Sequence, residues 1–287
     1  MHAREVVSQL ATLAFLSLSV VGQTAMSETT DAGRLNDTGI EQYKGSHYAD
    51  ALTIFNLTLA AYEVRGDRKG AAIALSEIAM CFNAMGQKHK AIDYLERALP
   101  KWREIGDRDN EASTLGKEGD ILRSWGFPEL SMRYYKQSLS LFRIAGDRAG
   151  TAAALNNLGL AYLVTGNRKK AHQSFAFALE LYRSLGDEPG EASVLVNIGE
   201  TFGASRETKR ALEALSTALN LSRRLGERDL EIGILSAIAE VNGVRRGQDR
   251  ARGSDQAALQ SGKRKANEAA YAETLRTTAM LSTSKDR

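Results

Sequence analysis

The sequence predicts an all-α solenoid of tandem helix hairpins, and three regularities of the chain support this prediction. Each 40-residue unit contains two stretches with apolar residues at helical spacing, and alanine or glycine recurs at fixed positions in both stretches. An unbroken period of this length is typical of solenoids, whose repeats bury an apolar face against the next repeat. The third regularity is a glycine followed by an acidic residue every 40 residues, at Gly66-Asp67, Gly106-Asp107, Gly146-Asp147, Gly186-Asp187 and Gly226-Glu227.

The two helices of a unit are clearest in residues 146–185. In the first, termed helix A, Leu155 and Leu158 share one face with alanines beside them. In the second, termed helix B, Phe175 and Tyr182 lie on one face in the same way. Neither helix can bury its apolar face alone, so we expect each hairpin to stack against its neighbours.

The turns are predictable from single residues. Gly166, between helix A and helix B, can adopt a positive φ at little cost. Gly186 is expected to end helix B, and Asp187 to cap the next helix A, where its charge also favours the helix dipole. Ser46 is expected to hold the turn position of the first repeat, and Arg206 stands where the other turns have glycine.

Small residues mark the places where helices approach closely. A glycine inside a helix costs about 0.5–1 kcal/mol relative to alanine. Its recurrence at one helix A position therefore predicts that a neighbouring helix leaves no space for a larger side chain. The residues at this position are Gly39, Ala79, Gly119, Gly159, Gly199 and Ala239.

The repeats divide the chain into consecutive segments. The predicted segments are a signal peptide at 1–27, a degenerate first repeat at 28–66, four repeats of 40 residues at 67–226, a divergent last repeat with capping helices at 227–270, and a disordered tail at 271–287. Pro100 lies inside a helix B and is expected to kink or end it near Leu99, because proline removes a backbone donor.

Residues 1–27 have the layout of a secretory signal peptide. Arg4 gives a positive start, residues 10–22 form an uncharged apolar run of 13 residues, and residues 25–27 offer a small-x-small cleavage site. The run is too short for a membrane span. The prediction is export from a bacterial cytoplasm to the periplasm or beyond, with no stable membrane insertion. The alternative is a cytoplasmic protein that retains this segment as an amphipathic cap.

The chain shows no catalytic constellation, and we predict neither an enzyme nor a metal or cofactor. Its one cysteine, Cys81, lies inside a helix A and is expected to be a buried structural thiol. The four histidines are too scattered to form the i, i+4 pair of a helical zinc site. From residue 241 on, ten basic residues face five acidic ones, but they are interspersed and have few aromatic neighbours. This pattern favours a solvated end over nucleic-acid binding.

The pattern of glycine, tyrosine, alanine, an aromatic residue and an Ala-Leu pair resembles the tetratricopeptide repeat. The 40-residue unit, with Gly-Asp-Arg before helix A and LNNLGLAY at 155–162, is similar to arrays that precede CHAT protease-like domains in bacterial proteins. It is also similar to the arrays of LGN/Pins-type adaptors. The resemblance covers about residues 31–245. It implies a right-handed superhelix of about six helix-turn-helix repeats, with helix A lining the concave side.

The candidate binding residues are polar side chains of helix A that point away from the packed seam. They are Asn36 in repeat one, Lys117, Asp120 and Arg123 in repeat three, Asn156 and Asn157 in repeat four, and Asn197 in repeat five. A carboxamide donates and accepts at once, so it suits the main chain of an extended peptide. In tetratricopeptide arrays, helix A asparagines resembling Asn157 and Asn197 often clamp ligand main chain. Lys117 and Arg123 can pair with a ligand carboxylate. The competing interpretation is that Asn156 and Asn157 are solvated or satisfy neighbouring repeats.

The predicted function is a non-catalytic scaffold that holds a protein or peptide in its groove. The alternative is the sensor or scaffold half of a CHAT-type protease system whose catalytic domain is absent from this chain. A cytoplasmic adaptor is a third hypothesis. Tail-driven binding to nucleic acid or membrane is the least supported, and its affinity should fall steeply with salt. A second copy of this chain is a further possible partner, which would bind through the exposed ends of the array.

Overall fold

The computed structural model describes the backbone of residues 25–244 and the side chains of residues 32–243. Within this part of the chain all regular elements are α-helices, eleven in number. They are α1 (Ala25–Lys44), α2 (Tyr48–Val64), α3 (Arg68–Ala84), α4 (Lys88–Ile105), α5 (Arg108–Ser124), α6 (Pro128–Ala145), α7 (Arg148–Val164), α8 (Arg168–Leu185), α9 (Glu188–Ala204), α10 (Thr208–Leu225) and α11 (Arg228–Val244).

The odd-numbered helices correspond to the predicted helix A and the even-numbered helices to helix B. Helices that follow one another pack together, as α3 does with α4, α5 with α6, and α9 with α10. The described residues thus hold five complete hairpins and the first helix of a sixth. The predicted all-α class of tandem helix hairpins is confirmed.

The chain forms two compact units, residues 1–150 and residues 151–287, and the division lies within α7. In the first unit, one apolar cluster joins α2, α3 and α4 and contains Phe55 and Trp102, which are 0% and 2% exposed. In the second unit, an apolar cluster joins α9, α10 and α11 around the fully buried Leu215. Each unit therefore has a core of its own.

The predicted turn chemistry is present at the junctions between repeats. The glycine that ends each helix B adopts a φ of 68° to 76°, which fits a left-handed C-terminal stop. The next residue accepts a hydrogen bond from the backbone N–H three residues later, at 2.8–3.1 Å, in four junctions. These capping residues are Asp67, Asp107, Asp147 and Asp187. Ser46 and Arg206 also adopt positive φ, 63° and 61°, at the turn positions where other repeats have glycine.

The small helix A residues lie where a large helix B side chain crosses them. A Cβ atom on Gly119 would lie 2.5 Å from a ring carbon of Tyr135, which is closer than real Cβ contacts. The equivalent glycines meet the equivalent helix B residue, since Gly159 lies against Phe175 in the next repeat. The predicted close approach is confirmed, and its cause is an aromatic or leucine side chain that fills the space above the glycine.

The sequence predicted that the helix would kink or end near Leu99, and the second of these outcomes is wrong, because α4 continues through Pro100 to Ile105. Pro100 is exposed, so the carbonyl that loses its helical partner can be hydrated. Leu99 and Trp102 lie on the opposite, buried side and are 7% and 2% exposed. The apolar contacts of this last turn outweigh one missing backbone hydrogen bond.

The segments predicted for the two ends of the chain lie mostly outside the described residues. This holds for residues 1–24 of the predicted signal peptide, and for everything that follows residue 244, including the predicted cap and tail. Among the helices of residues 25–244, none combines the length and the apolarity that crossing a bilayer requires.

Candidate functional site

One position of helix A carries a polar side chain in four consecutive repeats. Glu77 and Lys117 occupy it in the first unit, and Asn157 and Asn197 in the second. All four side chains are half-buried. A half-buried polar group is held in place by its neighbours and still reaches solvent, which is what a preorganised binding group requires. Each unit therefore presents polar groups on helix A, and Lys117, Asn157 and Asn197 are among the candidates named from the sequence, whereas Glu77 is not.

In the first unit, these groups form what we term the charged surface: Glu77, Lys117, Asp120 and Arg123. The hydroxyl of Tyr135, which is fully buried on α6, donates to Asp120 Oδ1 at 2.7 Å. Arg123 Nε donates to the same hydroxyl oxygen at 3.3 Å. Two of the predicted site residues are thus joined through one tyrosine, which fixes their positions on α5.

Burial controls the ionisation of the two carboxyl groups of the charged surface. Desolvation raises the pKa of Asp120, while the Tyr135 hydrogen bond and the positive charge of Arg123 oppose that rise. Desolvation also raises the pKa of Glu77, and the charge of Lys117 opposes it. A cationic ligand group near Glu77 would bring that raised pKa back toward its ordinary value, so ligand binding and deprotonation of Glu77 are linked.

In the second unit, Asn156, Asn157 and Asn197 form what we term the amide surface. Asn197 Nδ2 on α9 donates to Asn156 Oδ1 on α7 at 2.8 Å. This bond uses one of the two Nδ2 hydrogens of Asn197 and one lone pair of Asn156. A carboxamide has both an acceptor oxygen and a donor amino group, so the Asn197 oxygen can still accept and the Asn156 amino group can still donate hydrogen bonds to other partners. The pair orients one acceptor and one donor across adjacent repeats, which matches what a peptide main chain offers.

Negative charge borders the amide surface. Glu200 lies one helical turn after Asn197 on α9, and Glu240 occupies the equivalent position on α11. Burial raises the pKa of Glu200, and the negative charge of Glu240 adds to the rise. The second unit thus combines neutral amides with two carboxyl groups whose ionised forms a nearby positive charge would stabilise.

Asn36, the remaining candidate residue, lies on α1 and belongs to neither surface. Its side chain is half-buried, and within the described residues its Oδ1 atom is buried with no hydrogen-bond partner. An unsatisfied amide oxygen is a group that water or a ligand would complete. Asn36 therefore remains a candidate on chemical grounds, separate from the other six residues.

Sequence reasoning missed a contact that recurs between the two helices of a repeat. A cation from the first turn of helix B lies over an aromatic ring near the end of helix A, and the same two repeat positions supply it each time. The pairs are Lys90 over Phe82 at 5.2 Å, Lys170 over Tyr162 at 5.5 Å, and Arg210 over Phe202 at 4.0 Å. Aligning the repeats shows the shared eight-residue spacing. Such contacts stabilise the second, fourth and fifth hairpins.

The described residues include no group of three or more His, Cys, Asp or Glu side chains arranged to hold a metal ion. Cys81 is fully buried, as predicted, and burial raises the pKa of its thiol to about 12. Because the thiolate is the reactive form, this cysteine is a poor nucleophile.

A known protein family shares the repeats of this chain, a finding that does not depend on the structure. The model of the family described as tetratricopeptide repeat matches four overlapping segments, residues 39–104, 70–144, 110–184 and 150–224. The matches together cover more than half of the chain. No curated protein matches the sequence.

Solved structures resemble the fold at low sequence identity. A Rap protein complexed with competence and sporulation factor has a TM-score of 0.65 at 13% identity, over 92% of this chain and 77% of that one. The Rap conjugation gene regulator of plasmid pLS20, in complex with the Phr* peptide, has a TM-score of 0.64 at 13% identity, over 92% and 70%.

A third similar structure is a signal transduction ATPase with numerous domains from Pyrococcus horikoshii, which has a tetratricopeptide repeat sensor. Its TM-score is 0.70 at 14% identity, and the match covers 88% of this chain. The chain spans only 38% of the length of that protein. At these identities the likeness concerns the fold alone.

Proposed function

Because the chain belongs to the tetratricopeptide repeat family, we propose that it is a non-catalytic scaffold that binds a protein or peptide segment through helix A. The observation that carries this proposal is the run of half-buried polar side chains at one helix A position, Glu77, Lys117, Asn157 and Asn197. The residues three positions before and four positions after each of them are all buried, and most of them are apolar. Polar side chains at such a position contribute little to apolar packing, but they can form hydrogen bonds and ion pairs with a ligand.

The amide surface supports an extended peptide as ligand. The hydrogen bond between Asn197 and Asn156 holds both carboxamides in place before a ligand arrives. Preorganised groups bind with a smaller loss of side-chain entropy. Peptide main chain supplies alternating N–H donors and C=O acceptors, which the Asn197 oxygen and the Asn156 amino group complement. One of the similar solved structures was itself captured with a peptide.

The test is a binding selection of the full chain against a displayed library of random peptides, followed by measurement with variants. We expect Asn157→Ala and Asn197→Ala each to weaken binding of a selected peptide about ten-fold or more, the loss of one to two hydrogen bonds. The matched control is Asn220→Ala, which removes an exposed asparagine of α10 that belongs to neither surface. If all three variants bind like the original chain, the amide surface is not the binding site.

A second candidate function is a sensor array within a larger signalling or protease system, including one of CHAT type. The observation that favours it is the similar fold of a repeat sensor that forms part of a longer multidomain ATPase. Affinity capture with the full chain distinguishes the two candidates. Recovery of an enzyme whose activity changes when the chain binds supports the sensor function, whereas recovery of a non-catalytic protein or peptide supports the scaffold.

We also propose that the chain is exported, on the basis of the apolar run at 10–22 and the small residues at 25–27. The expected result of expressing the full gene in a bacterium is a periplasmic or secreted protein that begins close to residue 28. N-terminal sequencing of the purified protein measures this directly. A cytoplasmic protein that retains residues 1–27 would contradict export and favour the adaptor hypothesis.

A further inference from the structure

The third repeat contains a buried carboxyl group that the proposed function does not use. Glu118 lies on α5 between Lys117 and Gly119 and is 0% exposed. Both of its carboxyl oxygens are buried, and neither has a hydrogen-bond partner within the described residues. Burying an ionised carboxylate without a partner is costly enough that the group gives up its charge or the structure opens to water.

The other repeats show what this position normally holds. At intervals of 40 residues, the residues equivalent to Glu118 are Thr38, Ile78, Leu158, Ile198 and Ile238. Ile78 and Leu158 are 0% and 4% exposed, so the position belongs to the apolar seam between helices. Glu118 therefore places a titratable group where four of the five other repeats have an aliphatic side chain.

The groups that face Glu118 come from both flanking helices. Burial raises its pKa to about 8, the negative charge of Glu96 on α4 adds to the rise, and Arg103 on α4 opposes it. Arg103 is already engaged, because its Nε donates to Glu111 Oε1 at 2.6 Å. From α6, Tyr134 is close enough for the charge of Glu118 to raise the pKa of its hydroxyl. Arg103 is thus shared with Glu111, and among the described residues Glu118 has no ion-pair partner of its own.

Two further polar atoms on the helices that flank α5 are also unsatisfied. Trp102 Nε1 on α4 and Ser138 Oγ on α6 are buried without a hydrogen-bond partner in the described residues. Both helices pack against α5. Unsatisfied buried polar atoms lower the stability of packing. An ionised Glu118 would therefore add a charge to packing that already carries unsatisfied polar atoms.

We propose that Glu118 is a pH-sensitive switch that controls the packing of α5 in the third repeat. With the carboxyl group neutral, α5 stays packed between α4 and α6. When the carboxyl group ionises, α5 separates locally so that the carboxylate reaches water. Lys117, Asp120 and Arg123 move with α5, so the charged surface changes with pH. This last effect rests on the function proposed above, whereas the opening of α5 does not depend on any ligand.

The sign of the effect follows from the direction of the pKa shift. The pKa of Glu118 is raised from 4.5 to about 8, so the folded state favours the protonated group. As far as this group is concerned, the first unit therefore has its full stability when the pH lies below 4.5, the pKa of this group in the unfolded chain. It loses stability as the pH rises toward about 8, the pKa in the folded chain. Between these limits we expect the unfolding equilibrium constant of the first unit to rise about a thousand-fold through this group.

The experiment uses the full chain with Trp125→Phe, which leaves Trp102 as the fluorescent reporter. Trp102 is 2% exposed on α4, which packs against α5, so its emission reports the entry of water at this helix. We expect a red shift as pH rises, with a midpoint near 8, the value for Glu118. Adding Glu118→Gln or Glu118→Leu should abolish the shift. Glu96→Gln should keep it but move its midpoint to lower pH, because it removes a repelling charge.

Urea unfolding provides the second measurement. At about pH 5 the original chain and Glu118→Gln should unfold at similar urea concentrations, and at about pH 9 only the original chain should be strongly destabilised. An equal loss of stability in both chains at high pH would overturn the proposal. So would a Trp102 emission that is independent of pH in the original chain. If Glu118→Leu fails to fold, Glu118→Gln alone decides, and peptide binding enters neither readout.

Discussion

We expect Phe175→Ala to lower the free energy of unfolding by about 3–5 kcal/mol, one of the two largest effects that the fold predicts. Phe175 is 0% exposed on α8, and its ring lies directly against Gly159 on α7. Truncation to alanine removes the ring from the point where the two helices of the fourth repeat cross. Since the backbone at Gly159 has no side chain to fill the space, most of the resulting cavity should persist.

The matched control lies two residues away on the same helix. Phe177 is 59% exposed, and Phe177→Ala removes the same number of atoms from the surface. We expect it to change the free energy of unfolding by no more than about 0.5 kcal/mol. Urea unfolding followed by circular dichroism compares the two variants. Similar losses for both would mean that α8 does not present the face described here to α7.

The second large effect concerns the size of the facing residues in a repeat. Gly159→Ala places a methyl group against the Phe175 ring and should cost about 1–3 kcal/mol, as overpacking does. The second repeat shows the compensating solution, because Ala79 there shares a buried cluster with Leu95 at the position equivalent to Phe175. We therefore expect Gly159→Ala combined with Phe175→Leu to be more stable than the sum of the two single changes predicts.

Gly233 on α11 provides the control for this pair of changes. A Cβ atom on Gly233 would meet no atom within 4 Å. Gly233→Ala should therefore raise the free energy of unfolding by about 0.5–1 kcal/mol through helix propensity alone. The double-mutant cycle and this control can be measured by thermal or urea unfolding. Strict additivity in the cycle, or stabilisation by Gly159→Ala, would show that the helix crossing tolerates the extra methyl group.

Much of the fold could be predicted because its determinants are local and periodic. The Gly-Asp junctions specify a helix stop and a helix cap within two residues, and Asp107 and Asp187 act as the sequence indicates. The helix A glycines were recognisable because a repeated, otherwise unfavourable residue implies a spatial reason. The 40-residue period then places every element without any knowledge of long-range contacts.

The candidate site was less predictable because its contacts join residues that are distant in the sequence. Asn156 and Asn197 are 41 residues apart, and only the stacking of α7 and α9 shows that they bond to each other. The link between Asp120 and Arg123 through Tyr135 likewise depends on how α6 crosses α5. The end predicted at Pro100 was wrong because tertiary packing, which a local rule ignores, extends the helix.

The pairing of helix A and helix B residues by size also affects how the chain folds. A tandem array risks non-native pairing, in which a helix B docks on the helix A of another, nearly identical repeat. Phe175 lies so close above Gly159 that a Cβ atom there would be 2.4 Å from the ring, so a helix A with alanine at this position, such as that of Ala79, would not accept Phe175 without a shift. Unequal partners thus discourage the register slips that near-identical repeats would otherwise permit. An engineered array of identical fourth repeats would lose this protection and should aggregate more readily during refolding.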